Sequence, residues 1–107
     1  MSQPNLPQLK KSKEILTQAY GEQLIDLILF GSTARGDDSE QSDIDLLVLL
    51  DKPFDYWNEL RKTFDLLYPL QFEGGKYISA KPALNSDYQS GKTNLYKNIK
   101  RDGISIR

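Results

Sequence analysis

The sequence predicts a small α/β domain in the broad sense that includes α+β, with a mixed sheet and helices packed against it. Three observations carry this expectation. Two short segments, Leu24 to Phe30 and Ile44 to Leu50, are apolar at nearly every position, as strands buried on both faces are. Apolar residues recur at helical spacing before the first segment and after the second. Gly, Pro and Asp cluster at the junctions, where they end one element and admit the next. At 107 residues the chain is expected to form a single domain over residues 1–107, with no room for a second.

From Pro7 to Tyr20, Leu9, Leu16 and Tyr20, flanked by Ile15 and Ala19, mark an amphipathic helix, and Gly21 stands where it would end. Leu24 to Phe30 is the first strand, stopped by Gly31. Gly31 to Ser42 is too rich in Gly, Ser and acidic residues to continue it and reads as a loop, with a helical turn starting after Ser32. Ile44 to Leu50 is the second strand, ended by Asp51-Lys52-Pro53. From Phe54 to about Phe72, Trp57, Leu60, Phe64 and Leu67 fall on one side of a second helix, frayed near Pro69 and closed by Gly74-Gly75. Lys76 to Ala80, ending before Pro82, is a third strand. Thr93 to Arg101 forms a last helix around Leu95 and Ile99, stopped at Gly103, and Ile104 to Ile106 suits a short edge strand.

Composition narrows the chemistry. Hydrophobic residues make up 38% and charged residues 27%, the balance of an ordinary globular chain. The longest apolar run, Leu46 to Leu50, falls far short of the roughly 20 residues of a membrane span, and no signal segment opens the chain, so a cytoplasmic location without membrane contact is expected. There is no Cys and no His, which removes disulfides, thiol nucleophiles, imidazole bases and zinc sites built on them. Carboxylates, hydroxyls, Lys, Arg or a bound metal must do the work. Net charge is -1 but uneven: residues 1–75 hold seven Lys and Arg against thirteen Asp and Glu, residues 76–107 seven against two. The basic tail suits either a solvated helix face or a surface that meets phosphates or an acidic partner.

The informative stretch is Phe30 to Val48. On a strand, alternate side chains share a face, so Asp43 and Asp45 converge on one spot. Two carboxylates this close repel unless a cation neutralises them, and magnesium, which takes oxygen ligands and shares them with phosphates, is the natural candidate. Gly31 permits close approach of backbone to a ligand, and Ser32, opening a helical turn, offers a hydroxyl and free N–H groups to an anion such as phosphate. Arg35 either contacts a phosphate oxygen or pairs with Asp37, Asp38 or Glu40. Ser32 and Asp43 are separated by ten residues, and both lie beside strand ends, so the two halves can meet. Ser90-Gly91-Lys92-Thr93 contains the Gly-Lys-Thr of a P-loop, but Ser86 stands where a Gly is required and no buried strand precedes it. It reads as a loop into the last helix.

Phe30 to Leu50 resembles the signature of the DNA polymerase beta nucleotidyltransferase superfamily: Gly-Ser, ten residues, Asp-x-Asp. The run Gly31-Ser32-Thr33-Ala34-Arg35-Gly36 is similar to the minimal nucleotidyltransferase group, and Asn94 to Ile104 is similar to that group's tail. The resemblance implies a nucleotidyltransferase fold in which Gly31 and Ser32 hold the triphosphate of ATP, the nucleotide donor. Asp43 and Asp45 would bind two Mg2+ ions about 3.5–4 Å apart that clamp an in-line displacement at the α-phosphorus. A third carboxylate on a neighbouring strand would complete the site, yet the predicted third strand has no acid. Glu73 is the preferred candidate and Asp65, inside the second helix, the other.

The resemblance further implies a partner, a HEPN-domain toxin in a hetero-oligomer. The chain would act as antitoxin by transferring AMP from ATP to a toxin tyrosine. The alternatives are a non-catalytic antitoxin that neutralises its partner by binding, and a transferase acting on a small molecule or an RNA end. No direct nucleic-acid binding is expected, because net charge is modest and no aromatic-rich basic stripe is present.

Overall fold

In the computed structural model, residues 6–36, 43–72 and 76–106 are described. Helix α1 spans Pro7–Tyr20 and strand β1 Leu24–Phe30, followed by a single helical turn, α2, Ser32–Arg35. Strand β2 is Ile44–Leu50 and helix α3 Tyr56–Leu67, which tightens into a 3-10 turn over Tyr68–Phe72. Strand β3 is Ile78–Leu84, helices α4 and α5 are Asn85–Ser90 and Asn94–Asp102, and strand β4 is Ile104–Ser105.

The strands form one mixed sheet in the order β3-β2-β1-β4, antiparallel except for the β2–β3 pair. Alternation along β2 divides the core. Ile44, Leu46, Val48 and Leu50 pack with Leu9 and Leu16 of α1 and Leu67 of α3. Leu47 and Leu49 face the opposite way, with Ile28, Tyr88 of α4 and Ile99 of α5. The sheet thus lies between two helical layers, α1 with α3 and α4 with α5. Buried polar groups are satisfied locally: Ser12 Oγ donates to the Gln8 carbonyl at 2.7 Å and Thr63 Oγ1 to the Leu60 carbonyl at 2.9 Å. Among the described residues no buried side-chain polar atom lacks a partner.

Three expectations change. The third strand does not end before Pro82 but runs through it to Leu84, with Pro82 in register opposite Val48. As β3 is the sheet edge, a residue's N–H there can face away from the ladder, and proline's missing donor costs no pairing. Helix α4 was not anticipated, because Tyr88 is its only buried residue and no apolar period announces it. The stripe on the second helix is also only partly core: Leu67 is 1% exposed, whereas Trp57 is 73% and Phe64 44% exposed. These two rings line an open groove of about 510 Å3 beside β3. Gly74-Gly75, assigned to close that helix, lies outside the described residues.

Candidate functional site

Gly31 ends β1 at φ +80°, a left-handed conformation that L side chains rarely adopt. It also packs on a carboxylate: a Cβ on Gly31 would sit 2.5 Å from Asp45 Oδ2. Both the backbone angle and the contact therefore require glycine. Gly36, at φ +78°, serves the turn and closes α2 by donating to the Thr33 carbonyl at 3.3 Å. Because α2 is one turn, its leading N–H groups have no acceptor within the helix.

Asp45 is the second residue of β2, half-buried, with Phe30 of β1 and Ser79 of β3 as its register partners. Asp43 precedes the strand, and its carbonyl accepts a hydrogen bond from the buried Thr33 hydroxyl at 3.1 Å. That bond ties the turn after β1 to the start of β2. The Ile44 N–H, bonded to the Tyr77 carbonyl at 2.8 Å, anchors the same end to the entry of β3. Gly31, Ser32, Asp43 and Asp45 are thereby gathered at one end of the sheet, on the face that also carries α4 and α5.

Burial, followed by the neighbouring Asp43 charge, raises the Asp45 carboxyl above the ordinary carboxylate range, and Lys81 partly offsets this. A half-buried carboxylate beside a second one gains from an added cation, and the oxygen donors suit magnesium. The bare Cα of Gly31 leaves the room beside Asp45 Oδ2 that a side chain would fill. The residues present therefore fit a divalent ion, which Asp43 and Asp45 would hold. Among the described residues, no group of three His, Cys, Asp or Glu side chains gathers as a metal site.

The third carboxylate is not found on the neighbouring strand. Opposite Asp45 stands Ser79, and two positions further on, on the same face, the exposed Lys81. Lys81 lies just beyond the strand end that the sequence predicts, and its charge acts on Asp45. Asp65 is exposed, 3.9 Å from Arg61 on α3, and that helix covers the face opposite to Asp45. It cannot supply the third ligand. Glu73 lies outside the described residues. Arg35 is exposed, and its charge, after the bond and charge of Arg101, helps to hold the Asp102 carboxyl of α5 below the ordinary range. The alternatives Asp37, Asp38 and Glu40 lie outside the described residues. The Gly-Lys-Thr run is a junction: Gly91 caps α4, Lys92 pairs with Asp87 at 3.6 Å, and Thr93 caps α5 by accepting from the Tyr96 N–H at 3.1 Å.

The structure thus sets a glycine-serine turn against a pair of aspartates at one end of a mixed sheet between two helical layers. The profile of the family described as Nucleotidyltransferase domain matches residues 9–102, and the chain belongs to that family. It is 39% identical over 72 residues to a protein of Methanocaldococcus jannaschii named Putative protein adenylyltransferase; the match takes in 67% of this chain and 66% of that protein, just under two thirds of its length. A chain in a crystal structure of a toxin–antitoxin with AMP-PNP shares the fold at TM-score 0.58 and 21% identity, over 92% of this chain and 72% of that one. A chain in a mutant MntA–HpeT toxin–antitoxin structure does so at TM-score 0.57 and 18% identity, over 92% and 71%. No helix among the described residues is long and apolar enough to cross a membrane.

Proposed function

We propose that this nucleotidyltransferase is a single-domain antitoxin that transfers AMP from ATP to a tyrosine hydroxyl of a HEPN-type toxin partner. The observation that carries the reading is the contact between Gly31 and Asp45, which brings the Gly31-Ser32 turn against the aspartate pair. The similarity to the protein named an adenylyltransferase and the fold shared with toxin–antitoxin chains support the choice of reaction and partner.

In this reading Gly31, Ser32 and Arg35 hold the triphosphate, and Asp43 and Asp45 hold Mg2+ as two ions. Bound there, magnesium supplies positive charge to the phosphate oxygens. Gly31 keeps the triphosphate close to the backbone, and the α2 N–H groups and Ser32 hydroxyl orient it. The tyrosine oxygen forms a bond to the α-phosphorus, the bond from that phosphorus to the bridging oxygen of the β-phosphate breaks, and pyrophosphate leaves. The tyrosine proton passes to Glu73, the proposed third acid, or to water.

Incubating the chain and its co-purified partner with ATP labelled at the α-phosphate, in magnesium, should label the partner, and Asp43→Ala with Asp45→Ala should abolish the label. No label, or label that survives the double substitution, would sink the reading. Ser79 opposite Asp45, with Lys81 two positions further along β3 and no acid between them, favours one second reading, a non-catalytic antitoxin that acts by binding. In that case the doubly substituted chain would still protect cells from the toxin.

A further inference from the structure

On the face of the sheet that carries Asp45, a cleft of about 190 Å3 opens between the end of β1 and α5. Gly31 and Arg35 form part of its wall, so it adjoins the phosphate site proposed above, on which the present inference rests. Helix α5 contributes Leu95, Asn98 and Asp102, spaced three and four apart and therefore on one side of the helix. Leu95 is 45% exposed, an apolar side chain the core does not cover, and the half-buried Phe30 ring lines the cleft with it. Arg35 and Asp102 bring opposite charges, which leaves the cleft without a net bias against a neutral group.

Whole drug-sized ligands occupy roughly 300–1,000 Å3, so this cleft suits one planar group rather than a whole nucleotide. A flat heterocycle between Phe30 and Leu95, its phosphates leading out to Gly31 and Ser32, meets both the size and the apolar walls. Asn98 determines which heterocycle. Its amide is exposed and has no partner among the described residues, and it presents one donor beside one acceptor. Adenine offers the complement on one edge, the N6 amino group to the amide oxygen and N7 to the amide NH2. Guanine offers two acceptors on that edge, one of which would face the amide oxygen.

We infer that the cleft between Phe30 and α5 is a nucleobase subsite and that Asn98 makes it selective for adenine. The test is binding of the α,β-methylene analogues of ATP and GTP, which cannot be cleaved at the α-phosphorus, to the full chain with and without magnesium. The wild-type chain should bind the adenine analogue about tenfold more tightly. Asn98→Ala should abolish the preference, and Asn98→Arg, which suits guanine N7 and O6, should reverse it. Thermal melts should not move, because the side chain is exposed. Equal binding of the two analogues by the wild type, or an adenine preference that survives Asn98→Ala, overturns the inference. In either case label transfer would leave the transferase reading intact, whereas failure of both analogues to bind would overturn the two together.

Discussion

At Gly31 two independent demands fall on one residue, the left-handed backbone and the absence of a side chain beside Asp45 Oδ2. Gly31→Ala should therefore destabilise the fold by about 1–3 kcal/mol, visible as a lower thermal midpoint. It should also cut partner labelling more severely than this loss of stability explains, because Asp45 must shift to admit the methyl. Labelling at the wild-type rate by the folded variant would contradict this. That Gly31, Ser32, Asp43 and Asp45 lie at one end of the sheet was legible in the sequence, because their spacing is local and strand alternation sets which side chains share a face. Lys81 was not, since its approach to Asp45 depends on a parallel register between β2 and β3 that no local pattern encodes.

Among the elements, α1 and α3 are joined by the Tyr20 hydroxyl, which donates to Glu59 Oε2 at 2.7 Å. Burial, then that carboxylate as acceptor and as neighbouring charge, holds the phenol well above its ordinary value. The folded state thus retains its proton where the unfolded chain, near pH 10, loses it. The contribution is whole below about pH 10 and declines as pH rises beyond it. Tyr20→Phe should cost about 1 kcal/mol at neutral pH and flatten the stability curve between about pH 10 and 12, measurable by urea unfolding. A second join lies at the entry to β3, where the Gln71 amide accepts from the Ile78 N–H at 2.8 Å and donates to the Ile78 carbonyl at 2.9 Å, as a neighbouring strand would. Gln71→Ala should cost about 1–3 kcal/mol and speed hydrogen exchange at Ile78 before the rest of the sheet. Helix α1 and strands β1 and β2 matched their sequence-based bounds because each carries a strong period and a clear stop. Helix α4 and the passage of β3 through Pro82 did not, since one follows from packing of Tyr88 alone and the other from an edge position only the assembled sheet defines.

For the molecule as a whole, β2 is shared by both layers: Leu46 and Val48 belong to the core beneath α1 and α3, Leu47 and Leu49 to that beneath α4 and α5. Neither layer can lose its core without exposing a face of the same strand, so unfolding should be one cooperative transition. Leu46→Ala and Leu47→Ala, on opposite faces, should each cost about 2–5 kcal/mol and shift the same single calorimetric peak; two separable peaks would show that the layers melt independently. Part of the basic tail, visible in composition, is engaged near home. Lys92 pairs with Asp87, Lys100 donates to the Gln89 carbonyl at 2.9 Å, and Arg101 bonds Asp102 at 3.0 and 3.1 Å.

Pro82 on β3 has a further consequence. An exposed edge strand invites copies of itself to continue the sheet indefinitely. Here the outward groups of Ile78 are already bonded to Gln71 and Pro82 has no hydrogen to offer, so a fifth strand would find no continuous ladder along this edge. The same ring that the fold tolerates at no loss of internal pairing thus discourages filament formation.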